Sequence, residues 1–260
     1  MIKIVKKRFY HVFGAGRHRY FQDDFNWETY TRDKYGPQQE TLERELDLHL
    51  DDQARFDPET QSLQTGNLKI HPNFHVVYET IGRLNPTSVL EIGCGGGDHV
   101  RNLQHLYPSM NVHGCDRSTG QIQFLKDRNP SIADVVSQRD ITMPLSKNWA
   151  TADLVFSQAV LMHIKTAVSH LVALSNMFHL ANDAVVLMEN YGCHPFVDDI
   201  RSLHAEGQIP WDNVHFHQAS YQGSPYCLVA TREPCALPEL QDYFALPSAT
   251  KIRYKTEAAA

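Results

Sequence analysis

Glycine residues are concentrated between residues 88 and 98, where the sequence reads SVLEIGCGGGD. The first five of these residues are mostly apolar and are typical of a short buried strand. A strand that ends in a glycine turn and continues into a helix brings backbone N–H groups and a helix N-terminus towards a ligand. Gly93 and Gly95 let the backbone turn and approach that ligand without an intervening Cβ atom. The segment therefore predicts a nucleotide-binding loop.

Other nucleotide-binding proteins also begin with a glycine loop after a strand, but their spacing differs from the one found here. The dinucleotide fingerprint GxGxxG needs its third glycine at position 98 if it starts at Gly93, or at position 100 if it starts at Gly95. Those positions hold Asp98 and Val100. A P-loop needs Gly-Lys followed by Ser or Thr, which the segment lacks. A nicotinamide-dependent oxidoreductase is the rival hypothesis, and Asp98 speaks against it.

Acidic residues follow the next two predicted strands. Asp116 ends the second strand, 25 residues after Glu91, where a carboxylate can accept hydrogen bonds from both hydroxyls of a ribose. Enzymes that bind NAD share this geometry, so Asp116 alone indicates a ribose and no particular cofactor. Asp140 follows the third predicted strand.

The spacing Glu91-x-Gly93-x-Gly95-x-Gly97 resembles motif I of the class I S-adenosylmethionine-dependent methyltransferases, and the resemblance covers roughly residues 72–232. It implies that S-adenosyl-L-methionine is the cofactor. It also implies that Asp140 and the Ile141 N–H face the adenine, and that residues 152–158 form the strand beneath the methionine end. The cofactor-binding residues predicted in this way are Glu91, Gly93, Cys94, Gly95, Asp116, Arg117, Asp140, Ile141, Ser157 and Gln158.

Methyl transfer from a sulfonium requires alignment, exclusion of water and, for an alcohol or ammonium acceptor, a base. Histidine is the simplest base near neutral pH. His163 follows the fourth predicted strand and His194 follows the fifth, so these two are the candidate catalytic residues, with capping or core roles as the alternatives. The candidate acceptor-pocket residues are Tyr30, in an aromatic N-terminal segment that we expect to cover the site, and Asn190 and Tyr191.

Two further histidines, His215 and His217, share one face of a predicted strand because successive side chains alternate. Imidazole is a common ligand of transition metals. Such pairs are nevertheless frequent on edge strands that bind no metal, so we predict no metal site.

Motifs that mark other acceptor classes are missing from the expected positions. After the fourth strand the chain reads SQAV, where DNA amino-methyltransferases carry Asn/Asp-Pro-Pro-aromatic. The Pro-Cys pair of cytosine-C5 enzymes and the paired-glutamate loop of protein arginine methyltransferases are missing as well. We therefore predict O-methylation of a small polar acceptor, such as a sugar, a surface glycan or a secondary metabolite. N-methylation of a small amine and a non-catalytic cofactor-binding module are the alternatives.

Strands and helices alternate from residue 71 onwards, which predicts a parallel sheet covered on both faces. The predicted fold is α/β: a Rossmann-like parallel sheet with a final antiparallel strand, helices on both faces and an N-terminal helical cap. We expect a cap or lid over residues 1–70, a cofactor-binding core over 71–232 and a C-terminal extension over 233–260. Within these, residues 41–52 are predicted to be helical and residues 133–139 to form the third strand.

Composition and charge exclude several classes of protein. The 260 residues are 42% hydrophobic and carry a net charge of −6, which suits a globular protein and disfavours nucleic acid as the main partner. No stretch approaches the roughly 18 apolar residues of a membrane span. The N-terminus is basic but lacks the apolar core of a secretion signal. The five cysteines form no CxxC pair, so we expect free thiols, a cytoplasmic location and a small-molecule acceptor as partner, with homodimerisation left open.

Overall fold

The computed structural model describes residues 27–221 and 226–242. The basic segment of residues 1–20, and residues 243–260 of the predicted C-terminal extension, lie outside the described residues. None of the helices in the described ranges has the length and apolar character that crossing a membrane requires.

A seven-stranded sheet forms the centre of the fold. Its strands are β3 (Ser88–Ile92), β4 (Asn111–Asp116), β5 (Val136–Gln138), β6 (Ala152–Gln158), β7 (Ala181–Met188), β8 (His215–Ser220) and β9 (Tyr226–Thr231). Their spatial order is β5-β4-β3-β6-β7-β9-β8. The first five strands in this order, from β5 to β7, run parallel to one another. Strand β9 runs antiparallel to both of its neighbours, β7 and β8. The predicted α/β fold with an antiparallel closing strand is confirmed.

Helices cover both faces of this sheet. Helices α3 (Pro72–Leu84), α4 (Asp98–Leu106) and α5 (Thr119–Arg128) pack on one face, and α6 (Ser169–Leu180) and α7 (Phe196–Ala205) pack on the other. Alternate strand residues feed the two resulting cores: Phe156 belongs to the α3–α4 side and Val155 to the α6–α7 side. Because the residues of a strand point alternately to opposite faces, Glu91 lies on the same face as Phe156, its Cα partner in the sheet.

Between residues 27 and 70, the backbone is helical only over residues 27–45. Helix α1 (Trp27–Tyr30) continues through a π-helical turn (Thr31–Tyr35) into α2 (Gly36–Glu45), and a hairpin of β1 (Arg55–Asp57) and β2 (Ser62–Gln64) follows. The prediction of a helix over residues 41–52 is wrong beyond Glu45. Beyond Glu45 every second residue is a buried leucine: Leu46, Leu48 and Leu50. Burial of these side chains therefore stabilises a non-helical backbone here more than helical propensity stabilises a helix.

Some predicted boundaries also shift. The third strand of the core is confined to Val136–Gln138, because Pro130–Val135 forms a 3-10 helix. Its proline supplies a backbone φ suited to the first turn of a helix and no N–H for a strand ladder.

Candidate active site

A cavity of about 500 Å³ lies at the carboxyl ends of β3, β4 and β6, under the N-terminal helical segment. This is the usual place for a ligand in an open α/β sheet, and the volume is in the range of small-molecule sites. All of the predicted cofactor-binding residues except Ser157 line it: Glu91, Gly93, Cys94, Gly95, Asp116, Arg117, Asp140, Ile141 and Gln158. Of the other predicted residues, Tyr30 and His163 also line the cavity.

The glycine loop has a backbone conformation that residues with a side chain rarely adopt. Gly93 has a φ of 74°, and a Cβ atom built on it would come within 2.4 Å of Val160 Cγ2. The N–H groups of Gly93 and Cys94 both donate to the carbonyl oxygen of Cys115, at 2.7 and 2.9 Å. The loop is therefore held between the end of β4 and the segment that follows β6.

Asp116 connects the glycine loop to the end of β4. Its Oδ2 accepts a hydrogen bond from the Gly95 N–H at 3.0 Å, and its Oδ1 accepts one from the Ser118 N–H at 2.8 Å. Burial raises the pKa of Asp116, although these two N–H groups act in the opposite direction. Each carboxylate oxygen keeps a second lone pair for another donor, such as a ligand hydroxyl.

Several buried side-chain oxygen atoms in the lining accept no hydrogen bond from the residues that the structure describes. Those of Glu91, Gln121 and Gln158 are among them. Burial raises the pKa of Glu91 well above its usual range, and the charges of Asp98 and Asp116 add to the effect. Acceptors left unpaired in a cavity favour a ligand with several donors. The ammonium, ribose hydroxyls and adenine amino group of S-adenosylmethionine are such donors, so these residues fit that cofactor.

Asp98, the residue that breaks the dinucleotide fingerprint, organises the first turn of α4. Its Oδ1 lies 2.8 Å from His49 Nε2 and accepts from Arg128 Nε at 3.2 Å. Burial acts to raise the pKa of Asp98, but His49 and Arg128 together hold it below the usual value. Arg128 also pairs with Glu43 of α2. This ion-pair cluster joins the N-terminal segment to α4 and α5.

Aromatic side chains of the N-terminal segment cover one side of the cavity. Trp27 packs edge-to-face on His163, with ring centroids 5.1 Å apart, and on Tyr30 at 5.4 Å. The carboxylate of Glu28 accepts hydrogen bonds from Ser118 Oγ and from the Gly120 N–H, at 2.8 and 3.0 Å. A carboxylate is favourable at a helix N-terminus, so Glu28 fastens this segment to the start of α5.

His163 lies in a short 3-10 turn (Leu161–His163) directly after β6. Burial lowers its pKa to about 4, with a smaller contribution from the charge of Lys165. The imidazole is therefore neutral at pH 7. Glu189 holds the turn in place, since its carboxylate accepts from Ser157 Oγ and from the N–H groups of Val160, Leu161 and Met162.

Four predicted site residues lie away from the cavity lining: Ser157, Asn190, Tyr191 and His194. Ser157 is fully buried and donates to Glu189. Tyr191 is locked onto the sheet, where its hydroxyl donates to Leu187 O at 2.6 Å and accepts from Leu228 N at 2.9 Å. These contacts turn both side chains into the interior.

The chain after β7 turns towards α6 and α7, away from the cavity. Asn190 Oδ1 accepts from the Gly192 N–H at 3.1 Å and shapes this turn. His194 is 1% exposed, and its ring stacks on His170 of α6 with centroids 4.1 Å apart. Of the two histidines predicted as candidate bases, only His163 lines the cavity.

The cavity also includes residues that the motifs do not predict. His71, Asn73 and Phe74 come from the start of α3, and His99 comes from the first turn of α4. Only the start of α3 could have been recognised from the sequence, because Pro72 is typical of a first helical residue. His71, directly before it, caps the helix by accepting from the Asn73 N–H at 3.0 Å. Nothing near His99 in the sequence indicates that it faces a ligand.

Comparisons with known proteins agree with this geometry. Residues 89–184 match a family model described as a methyltransferase domain. No curated protein sequence matches the chain. Among solved structures, a TehB-like S-adenosylmethionine-dependent methyltransferase from Corynebacterium glutamicum ATCC 13032 Kitasato is similar in fold. It is 15% identical, the match covers 79% of this chain and 99% of that chain, and the TM-score is 0.50.

Two further solved structures are more distant in shape. Magnesium protoporphyrin IX methyltransferase from Synechocystis PCC 6803, solved with bound S-adenosylmethionine, is 16% identical over 89% of this chain and 97% of that chain, with a TM-score of 0.43. The N-methyltransferase NodS from Bradyrhizobium japonicum WM9, solved with S-adenosylhomocysteine, is 18% identical over 75% of this chain and 97% of that chain, with a TM-score of 0.45.

The glycine-loop spacing, the strand order and the family match lead to one assignment, and they set aside the nicotinamide oxidoreductase. Residues 89–184 belong to a methyltransferase domain family, and the fold around them is the class I, Rossmann-like fold of S-adenosylmethionine-dependent methyltransferases, with S-adenosylmethionine as the cofactor.

Proposed function

We propose that this methyltransferase methylates a hydroxyl group of a small polar acceptor, such as a sugar or a secondary metabolite, and that His163 receives the hydroxyl proton. When bound, S-adenosylmethionine supplies a methyl group on a positively charged sulfur. The protein must align the acceptor oxygen, exclude water and accept the proton. The observation that supports the proposal is the neutral imidazole of His163 in the wall of the cavity, beside Trp27.

The cofactor would be held by residues from the ends of four strands, β3, β4, β5 and β6. Asp116 would bind the ribose hydroxyls with its remaining lone pairs, as its bonds to Gly95 and Ser118 already orient the carboxylate. Asp140 accepts from the N–H and hydroxyl of Thr142 at 2.9 and 2.6 Å, which forms the turn that would carry the adenine. Glu91 and Gln158 would supply acceptors for the remaining donors of the cofactor.

The acceptor would lie between His163 and the aromatic side chains of the N-terminal segment. Trp27 and Tyr30 offer flat apolar surfaces with polar edges, which suit a ring that carries hydroxyls. We propose that residues 27–70 act as a lid on the core, fastened at α5 by Glu28. A lid of this kind excludes water from the transfer step.

Replacing Asp116 by asparagine should weaken the binding of S-adenosylhomocysteine by about 1–3 kcal/mol, because a charge-assisted acceptor for the ribose is lost. Isothermal titration calorimetry measures the change. Asp127→Asn is the matched control, since Asp127 is an exposed residue of α5 whose carboxylate accepts from Gln123 Nε2. Equal affinity in the Asp116 variant and the wild type would remove Asp116 from the cofactor site.

Replacing His163 by asparagine should lower kcat by about 10²- to 10⁴-fold, the usual contribution of a general base, and leave the affinity for S-adenosylhomocysteine unchanged. Since the pKa of His163 is lowered to about 4, kcat of the wild type should not decline through pH 6.5, the ordinary value for histidine. Stopped assays from pH 8 to pH 5.5 test this. His179→Asn, at an exposed histidine of α6, is the control. A kcat that survives in the His163 variant contradicts the assignment.

The acceptor class needs a separate experiment. Incubation with labelled S-adenosylmethionine and matched pairs of hydroxyl and amino acceptors, sugars included, should give products methylated on oxygen. Methylation confined to the amines would replace the proposal with N-methylation, and a protein that binds cofactor but methylates no acceptor would support the non-catalytic alternative.

A further inference from the structure

A chain of buried hydrogen bonds ends at His99. The side-chain amide of Asn102 is oriented by backbone groups, because its Oδ1 accepts from the Leu50 N–H at 2.9 Å and its Nδ2 donates to the Leu48 carbonyl at 2.8 Å. The same Nδ2 donates to the hydroxyl oxygen of Tyr78 at 2.9 Å. Tyr78 Oη in turn lies 2.9 Å from His99 Nδ1.

The direction of each bond in this chain can be assigned. Tyr78 is fully buried, so its single hydroxyl proton requires an acceptor. Asn102 offers the Tyr78 oxygen a donor, and the ring nitrogen of His99 is the acceptor within reach in the described ranges. Tyr78 therefore donates to Nδ1. A neutral imidazole that accepts at Nδ1 carries its proton on Nε2.

His99 remains neutral in this environment and borders the cavity. Burial lowers its pKa to about 4, and its residual exposure is 8%. Its ring packs against Phe74, with centroids 4.4 Å apart, and both side chains belong to the cavity lining. Among the residues that the structure describes, Nε2 has no hydrogen-bond partner, so its N–H is a donor without an acceptor.

An unpaired acceptor lies on the same side of the sheet. Glu91 and Phe156 are Cα partners on neighbouring strands, and the His99 ring lies 6.0 Å from the ring of Phe156. Glu91 Oε2 is buried and unpaired within the described part of the chain. The His99 N–H can donate to an anionic oxygen, and the Glu91 oxygen can accept from an ammonium. Together they complement a ligand group in which a carboxylate lies next to an ammonium. The α-amino acid end of S-adenosylmethionine is such a group.

We propose that His99 positions the cofactor by donating its Nε2–H to the α-carboxylate of the methionine moiety, in the region of the cavity that Glu91 shares. The proposal rests on the cofactor placement given above. Asn102 and Tyr78 act as positioning residues, because they set which nitrogen of His99 carries the proton. The extended segment with Leu48 and Leu50 thereby contributes to cofactor recognition without contacting the cofactor itself.

Two ligands that differ in the amino acid end test the proposal. S-adenosylhomocysteine has the carboxylate, whereas 5′-methylthioadenosine has the adenosine and the sulfur without it. His99→Leu should weaken the binding of S-adenosylhomocysteine by about 10- to 100-fold and leave the affinity for methylthioadenosine unchanged in calorimetry. His105→Leu, at an exposed residue of the same helix, should change neither. Loss of affinity for both ligands alike, or for neither, overturns the proposal.

A second measurement on the unaltered protein does not depend on the folding of a variant. Nitrogen-15 NMR of the imidazole should show His99 protonated at Nε2 and accepting at Nδ1, and Tyr78→Phe should let both tautomers appear. A proton on Nδ1 in the wild type overturns the assignment of the donor. If the wild type fails to bind S-adenosylhomocysteine at all, the cofactor placement fails; if it binds and His99→Leu shows no selectivity between the two ligands, only the role of His99 fails.

Discussion

Replacing Gly93 by alanine should cost about 2–5 kcal/mol, divided between the stability of the protein and its affinity for the cofactor. A positive φ costs an alanine about 1–2 kcal/mol, and the loop has a φ of 74° here. The new Cβ atom would also lie 2.4 Å from Val160 Cγ2 and 2.8 Å from Cγ1, and overpacking of this kind costs about 1–3 kcal/mol. If the loop keeps its conformation the protein loses stability, and if the loop relaxes the cofactor binds more weakly.

Denaturant unfolding without S-adenosylhomocysteine measures the loss of protein stability. The same measurement with S-adenosylhomocysteine adds the loss of cofactor affinity, so the two together give the full cost. The control is Gly207→Ala, because Gly207 has a φ of 69° and no atom within 4 Å of the added Cβ position. It should lose only the backbone contribution and should bind the cofactor normally. Val160→Ala combined with Gly93→Ala should recover part of the loss by removing the two clashing methyl groups. Equal effects at Gly93 and Gly207 would show that the contact with Val160 is unimportant.

Replacing Glu189 by alanine should destabilise the protein by at least about 3 kcal/mol. The carboxylate is fully buried and accepts from the N–H groups of Val160, Leu161 and Met162, at 3.1, 3.2 and 3.1 Å. Each buried donor left without an acceptor costs about 1–3 kcal/mol. Glu189→Gln keeps the shape and one oxygen, so it should lose less, about 1–3 kcal/mol.

The same substitution should also impair catalysis through the turn that carries His163. Glu189→Gln is the useful variant for kinetics, since it should fold and show a reduced kcat with near-normal binding of S-adenosylhomocysteine. Glu206→Gln, at an exposed glutamate that follows α7, is the matched control for both measurements. A Glu189→Ala variant as stable as the wild type would mean that water replaces the carboxylate and that the turn does not depend on it.

The residues that follow β7 show that the sequence can place a residue at a strand end without showing whether its side chain faces the cavity. Asn190, Tyr191 and His194 follow β7, like Glu189, at the end of the sheet where ligands bind, which is why the sequence made these three candidate site residues. Whether a side chain at a strand end faces the ligand depends on what packs beside it. The hydroxyl of Tyr191 is bound to the sheet and His194 is stacked on His170, contacts that no local pattern encodes.

Local signals were sufficient for the fold and for identifying most of the predicted residues that line the cavity. Strand–helix alternation, the spacing from Glu91 to Gly97 and the acid at the end of β4 are properties of short segments, and parallel strands bring their carboxyl ends together whatever the rest of the chain does. The Gly93 loop, Asp116 and Asp140 therefore line the cavity as the sequence predicts. The assignment of the cofactor adds to these local features the strand order and the family match.

The proposed lid and the proposed donor at His99 could not be predicted from local sequence. Leu46, Leu48 and Leu50 leave the predicted helix because their burial in the core outweighs helical propensity. His99 obtains a defined proton position from Tyr78, 21 residues away, and Tyr78 is oriented by Asn102, 24 residues away from it. Hydrogen-bond direction is set by neighbours in space. The sequence by itself therefore predicted the cofactor through the spacing of its motif, whereas only the packed structure decided which side chains line the cavity and which nitrogen of His99 carries the proton in the proposed arrangement.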